Sequence, residues 1–137
     1  VSLDLYLESE EETSDLVKCA HCGHEREVST RDEFYCENIT HNLGEMARHV
    51  KVDGVHGTLS LYTFLWRPEE LPFKPSAENL IKNGLLEMLK DLEARPGYFT
   101  KFDSPNGWGM YKDFVPFVRR FYEACLKYPN AIVRASI

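Results

Sequence analysis

The sequence predicts an α+β fold in one domain, a mostly antiparallel sheet of about four to five strands packed against three to four helices. Three observations predict it. Leu3, Leu5 and Leu7 alternate with Ser2, Asp4 and Tyr6, the period of a half-buried strand, and a β-branched segment closes the chain. The middle of the chain repeats its apolar residues at three and four, the period of amphipathic helices. The order is strands, then helices, then one last strand, which suits a segregated α+β layout. At 137 residues the chain fits a single globular domain over 1–137 and is long enough to bury a core.

In chain order, "SLDLYLE" is the first strand and "ESEEETSD" an acidic loop that cannot bury itself. "LVKCAHCGHEREVS" reads as strand, tight knuckle and strand, an N-terminal CxxC hairpin with Gly23 at the turn. "EFYCENIT" is a further strand that places Phe34, Cys36 and Asn38 on one face. Thr40 or Asn42 can cap a helix to about Val50, with Leu43, Met46, Ala47 and Val50 on one side. "GTLSLYTFLW" is open between strand and helix: its composition suits the first and its position the second. Ser76 caps the clearest helix, through Ala77, Leu80, Ile81, Leu85, Met88, Leu89 and Leu92, with Pro96-Gly97 as its stop. "PGYFTKF" reads as a short helical turn. The last helix carries Phe114, Val115, Val118, Tyr122, Cys125 and Leu126, and Pro116 requires it to begin near Tyr111 to Asp113. "AIVRASI" is the final strand.

Charge and segment lengths narrow the functions. A net charge of −6 argues against general nucleic-acid binding, which depends on Lys and Arg at phosphates; Arg119-Arg120 reads as a solvated helix face. No apolar run approaches the roughly 18 residues of a membrane span. "SLDLYLESEEE" has neither the basic start nor the apolar stretch of a signal peptide, so a cytoplasmic location with reduced thiols is expected.

Three stretches hold the candidate chemistry. In the first, Asn38, Thr40, His41 and Asn42 stand where a strand runs into a helix. Helix starts carry free amide protons that hold an anion or a polar edge; plain capping is the alternative. In the second, "LWRPEEL", Trp66 can stack a flat ring and Arg67 can pair a carboxylate or phosphate; otherwise Trp66 is core and Arg67 bonds Glu69 or Glu70. In the third, "FDSPNGWGMYKDF", Asn106 belongs to a strong turn, Gly107 and Gly109 flank Trp108, and Tyr111 opens the next helix. Trp108 is then a pocket wall or a plug over the sheet. Together these residues outline one polar, aromatic pocket.

Zinc is the competing reading. Cys19 and Cys22 have the spacing for two thiolates on one ion, and Cys36 with His41 completes C-x2-C-x13-C-x4-H; His21 and His24 are spare donors. A metal-free hairpin is the alternative, and no cofactor is required by it. The two uses compete for His41.

"NITHNLGEMA", "SPNGWGMYKDFVPFV" and "ACLKYPNAIV" resemble a family of small, largely uncharacterised proteins encoded by bacteriophages and bacteria. The resemblance runs from the CxxCG knuckle to the final strand, through Asn38 to Leu43 and Asn106 to Tyr111. It implies no particular activity. It implies a phage origin, a host-cytoplasm setting, and a role such as sequestering a host immune signal.

Three functions are therefore expected. The first is a binding protein for a small ligand, nucleotide-derived or anionic, with Arg67 and the His41–Asn42 helix start on the anion and Trp66 or Trp108 on a ring. The second is an acidic interaction or inhibitor module, Glu8 to Asp15 meeting a basic host protein. The third is a hydrolase using His41, with or without zinc.

Overall fold

The computed structural model of the chain describes residues 2–10, 13–18, 20, 22–23, 25–30 and 32–137, with backbone alone for 13–18 and 26–30. The α+β class is as the sequence predicts. The described strands divide among three antiparallel ladders.

The principal ladder has three strands. β1 (Ser2–Glu8) lies in the middle, with β4 (Glu33–Thr40) on one side and β7 (Ile132–Ser136) on the other. Leu3, Leu5 and Leu7 of β1 are fully buried. Each contributes about 1.5–3 kcal/mol of apolar transfer. A slip of one residue would turn all three to solvent, so burial fixes the register. That register sets Ser2 opposite Thr40 and Asp4 opposite Asn38. The free side of β7 is partly covered, because Val133 N–H donates to the Pro75 carbonyl (2.8 Å) and Ser76 bridges Ile132.

β2 (Thr13–Lys18) and β3 (Glu25–Thr30) form a second ladder, paired from Thr13–Thr30 to Lys18–Glu25. The expected CxxC knuckle falls between them. Cys19, His21 and His24 lie outside the described residues, and Cys22 is exposed.

After β4 a 3-10 turn (His41–Leu43) leads into the short helix α1 (Gly44–Arg48). β5 (Lys51–Gly54) and β6 (Gly57–Ser60) make the third ladder, and α2 (Leu61–Trp66) follows at once. The stretch open between strand and helix is thus both. Ser60 is the switch: its side chain accepts the Thr63 amide proton at 3.3 Å and caps α2.

The single helix expected after Ser76 is two, α3 (Ala77–Lys82) and α4 (Leu85–Ala94). Gly84 breaks it. Its φ is +119°, and a Cβ there would come within 2.6 Å of Val52 Cγ1. Periodicity survives the break because both pieces bury the same side, which is why the sequence conceals it. Pro96-Gly97 is not only a stop: it opens α5 (Pro96–Phe99), which runs into a 3-10 turn at Thr100–Phe102.

α6 (Tyr111–Lys127) begins at the early end of the expected range, so Pro116 lies inside the helix, where its missing amide proton leaves the Lys112 carbonyl without its helical partner. Its buried residues are Phe114, Phe117, Val118, Phe121 and Cys125, while Leu126 is exposed, so the stripe is rotated from the one the sequence suggests. Tyr35 of β4 packs against Phe121, and Arg120 pairs with Glu37 at 2.7 Å. α2 rests on β1 and β7, and α6 packs on α3 and α4. The core fills the space between the β1–β4–β7 sheet and these helices.

Candidate functional site

Alternation along β4 sends Tyr35, Glu37 and Ile39 toward the helices and Phe34, Cys36 and Asn38 to solvent. At the end of the strand the Thr40 hydroxyl accepts the Asn42 amide proton, at a long 3.4 Å. The 3-10 turn that follows rotates successive side chains by about 120°, so three neighbours take three directions. Leu43 enters the core. His41 turns inward, where its Nδ1 accepts a hydrogen bond from Trp66 Nε1 (3.0 Å). Asn42 turns outward, and its Nδ2 donates to the Trp108 carbonyl (2.8 Å).

Trp108 lies in a loop that is ordered by its own bonds. Asn106 Oδ1 accepts from the Trp108 amide (3.0 Å) and from Ser104 Oγ (2.5 Å). Ser104 N–H donates to the Gly109 carbonyl (3.1 Å). Gly109 has φ +109°, and a Cβ on it would stand 2.9 Å from Asn42 Cβ, so only glycine lets the loop close on the turn. Trp108 itself is 69 % exposed.

Between the loop, the end of β4 and the start of β1 lies an open cleft of about 690 Å³, lined by Ser2, Asn38, Ile39, Thr40, Asn42, Leu43, Asn106, Gly107, Trp108, Gly109 and Asp113. Asn38 Nδ2 donates to Ser2 Oγ (2.9 Å) and Asp4 Oδ1 (2.6 Å), and its carbonyl oxygen has no partner among the described residues. Asn42 likewise has Oδ1 without a partner among the described residues, and Asn106 has Nδ2. The cleft therefore presents amide acceptors and a donor beside an indole face.

Comparison with known proteins gives no match. No family model, no curated protein and no solved structure corresponds to the chain.

Of the nine residues singled out in the sequence, Asn38, Thr40, Asn42, Asn106 and Trp108 meet in the cleft, and His41, Trp66, Arg67 and Tyr111 do not line it. Trp66 is 1 % exposed and has no face free for a ligand ring; it packs between Tyr62 and Phe114. Arg67 stands before the Pro68 turn, 3.8 Å from both Glu69 and Glu70. Tyr111 anchors α6: its hydroxyl donates to the Leu92 carbonyl (2.7 Å) and its amide to Asp103 Oδ1 (2.6 Å). Desolvation first, and then the Glu93 charge, hold its phenol above the ordinary value, so it stays a neutral donor. Ser2 and Asp113 join the site unforeseen. Strand pairing brings Ser2 from the far end of the sequence, and Asp113 sits in the first turn of α6.

The indole bond also occupies one ring nitrogen of His41. With Nδ1 accepting the indole proton, a neutral imidazole carries its hydrogen on Nε2 and keeps no free lone pair. Of the four residues in the zinc reading, Cys36 and His41 lie at different places along the end of β4 and the turn after it. About 13 Å of extended strand separates Cys36 from Thr40; Cys36 faces solvent, and the His41 ring turns toward Trp66. Desolvation, followed by the Glu33 carboxylate, pushes the Cys36 thiol up. Among the described residues no cluster of three or more His, Cys, Asp or Glu is placed to hold a metal. Cys19, His21 and His24 are outside that statement.

Proposed function

We propose that this protein binds a small polar ligand carrying a flat ring, a nucleotide-derived compound for example, in the cleft between β4 and the Trp108 loop. The observation that carries the reading is the exposed Trp108 face held rigidly beside unpartnered amide groups. An exposed tryptophan costs solubility and adds nothing to the core; a preordered loop presenting it to a cleft lowers the entropy cost of stacking a ring. The phage origin proposed from the sequence motifs adds a role, sequestration of a host signal, for which tight binding without turnover suffices. The engagement of His41 with Trp66 disfavours the hydrolase reading.

The test is thermal melting with a panel of nucleosides, nucleotides and cyclic nucleotides, on the parent chain and on Asn42→Ala and Trp108→Ala. Binding raises the melting temperature with ligand concentration. The reading expects a shift with some members, lost in both variants, and no product in the mixture. No shift across the panel, or a shift kept by both variants, counts against it. Product formation abolished by His41→Ala favours the hydrolase. A second reading rests on the same exposure: Trp108 is also the residue type that anchors protein interfaces. It expects a host protein to co-purify with the parent chain and with His41→Ala, and to be lost with Trp108→Ala.

A further inference from the structure

The charge around the cleft says which end of such a ligand it admits. We propose that the cleft takes an uncharged, hydrogen-bonding ring, the base or nucleoside part of a ligand, and disfavours a phosphate there. The inference rests on the binding reading above and narrows its ligand.

Three observations lead to it. Among the described lining residues Asp113 is the one ionisable side chain, and none is Lys or Arg. Asp4 adds a second carboxylate behind Asn38 through the 2.6 Å bond to Asn38 Nδ2. The cation that an anion would need, Arg67, is outside the lining and beside Glu69 and Glu70.

The start of α6 offers no substitute. A helix start attracts anions through its free amide protons and its dipole. Here the Asp103 carboxylate already accepts the Tyr111 amide proton, and Asp113 adds its own charge in the first turn. Three of the first four amide protons are bonded within the chain, Tyr111 to Asp103 Oδ1 and Asp113 and Phe114 to the Met110 carbonyl. A phosphate placed nearby would meet carboxylates where it needs donors.

What remains is suited to a neutral edge. Asn42 Oδ1 and Asn38 Oδ1 accept, Asn106 Nδ2 and the Trp108 indole N–H donate, and none of the four has a partner among the described residues. Mixed donors and acceptors beside an aromatic face are what the edge and face of a base require.

The experiment is a titration followed by ¹H–¹⁵N NMR, reading the Trp108 indole and the Asn38, Asn42 and Asn106 side-chain amide signals. The probes are adenosine, guanosine, cytidine and uridine, each beside its 5′-monophosphate. The expected result is that at least one nucleoside moves these signals and its monophosphate binds on the order of tenfold more weakly, the scale of a dianion several ångströms from a carboxylate in water-like surroundings. Asp113→Asn, on the exposed side of α6, narrows that gap. A monophosphate binding as tightly as its nucleoside or more tightly overturns the charge inference and leaves the binding reading standing. If neither class moves the cleft signals, both fall.

Discussion

Trp66 and Trp108 are both tied to the turn that follows β4, the first through His41 and the second through Asn42. One is 1 % exposed and the other 69 %. The adjacent residues 41 and 42 therefore divide the turn into two halves with different physical duties. On the His41 side Trp66 is buried, so the bond's worth is measured in stability: a buried indole proton needs an acceptor, and the half-buried imidazole supplies it. The Asn42 side is wet, and its bond adds little to the folding free energy. It fixes a loop and a face. A polar residue beside an aromatic one thus signals a site only when the aromatic is left outside the core.

The most severe test of this division is Trp66→Ala. It empties a fully packed position and is expected to cost about 3–5 kcal/mol in urea unfolding, which a domain of this size barely survives. A cost near zero would mean that Trp66 is not a core side chain. His41→Ala comes next, at about 1–3 kcal/mol, the penalty for leaving a buried indole donor without a partner. The cleft loop is expected to stay in place in that variant, as read from an unchanged Trp108 indole signal. If His41→Ala instead releases the loop while leaving stability intact, the division between the two halves fails.

Gly109→Ala tests the wet side through the backbone. The positive φ and the close approach to Asn42 together cost about 1–3 kcal/mol. Gly107→Ala, also at positive φ (+79°) but with open space around it, is expected to cost less than Gly109→Ala. The order reversed would show that the loop is not closed on the turn by contact.

Alkaline pH tests the core without mutation, apart from both halves of the turn. Burial pushes the Cys125 thiol and the Tyr35 phenol well up, with the Glu37 charge adding to the effect on Tyr35. Both groups stay protonated in the folded chain where the unfolded chain releases its protons. Their contribution is complete below the unfolded values, 9.0 for the thiol and 10.0 for the phenol. It is lost as pH rises from there toward the folded values, at up to about 1.4 kcal/mol per pH unit for each group. Unfolding midpoints measured from pH 7 to 10.5 are expected to be flat and then to fall above about pH 9. Cys125→Val should flatten the first part of that fall. Trp108→Ala is the mildest change, expected within about 0.5 kcal/mol of the parent yet decisive for binding. A large loss of stability there would make Trp108 a structural plug.

Much of this arrangement is legible in the residues alone. The β1 alternation is written in Leu3, Leu5 and Leu7 because burial on one face leaves a period of two. The caps at Thr40 and Ser76 and the turn chemistry from Ser104 to Gly109 are local, so residue type announces them. Five of the nine candidate site residues share the cleft because strand ends and glycine-rich turns are where backbone leaves the core. The break at Gly84 is hidden, since the second reason for that glycine is Val52, some thirty residues earlier in the chain. The distribution of strands among three ladders is hidden too, because pairing partners are set by contacts that no local pattern records.

Periodicity and the conformational limits of single residue types are enough to settle the class of fold, the buried face of its first strand and the stretches where polar and aromatic residues gather. All of these can be read along the chain without knowing what packs on what. Packing settles the rest: which tryptophan is core, that His41 faces it, that Arg67 stays with its neighbouring glutamates, and that Ser2 and Asp113 join the cleft. Those outcomes depend on which side of a 3-10 turn meets the helices and which meets water. Burying one large ring and exposing another depends on the space left between elements distant in the chain, and no local pattern encodes that space.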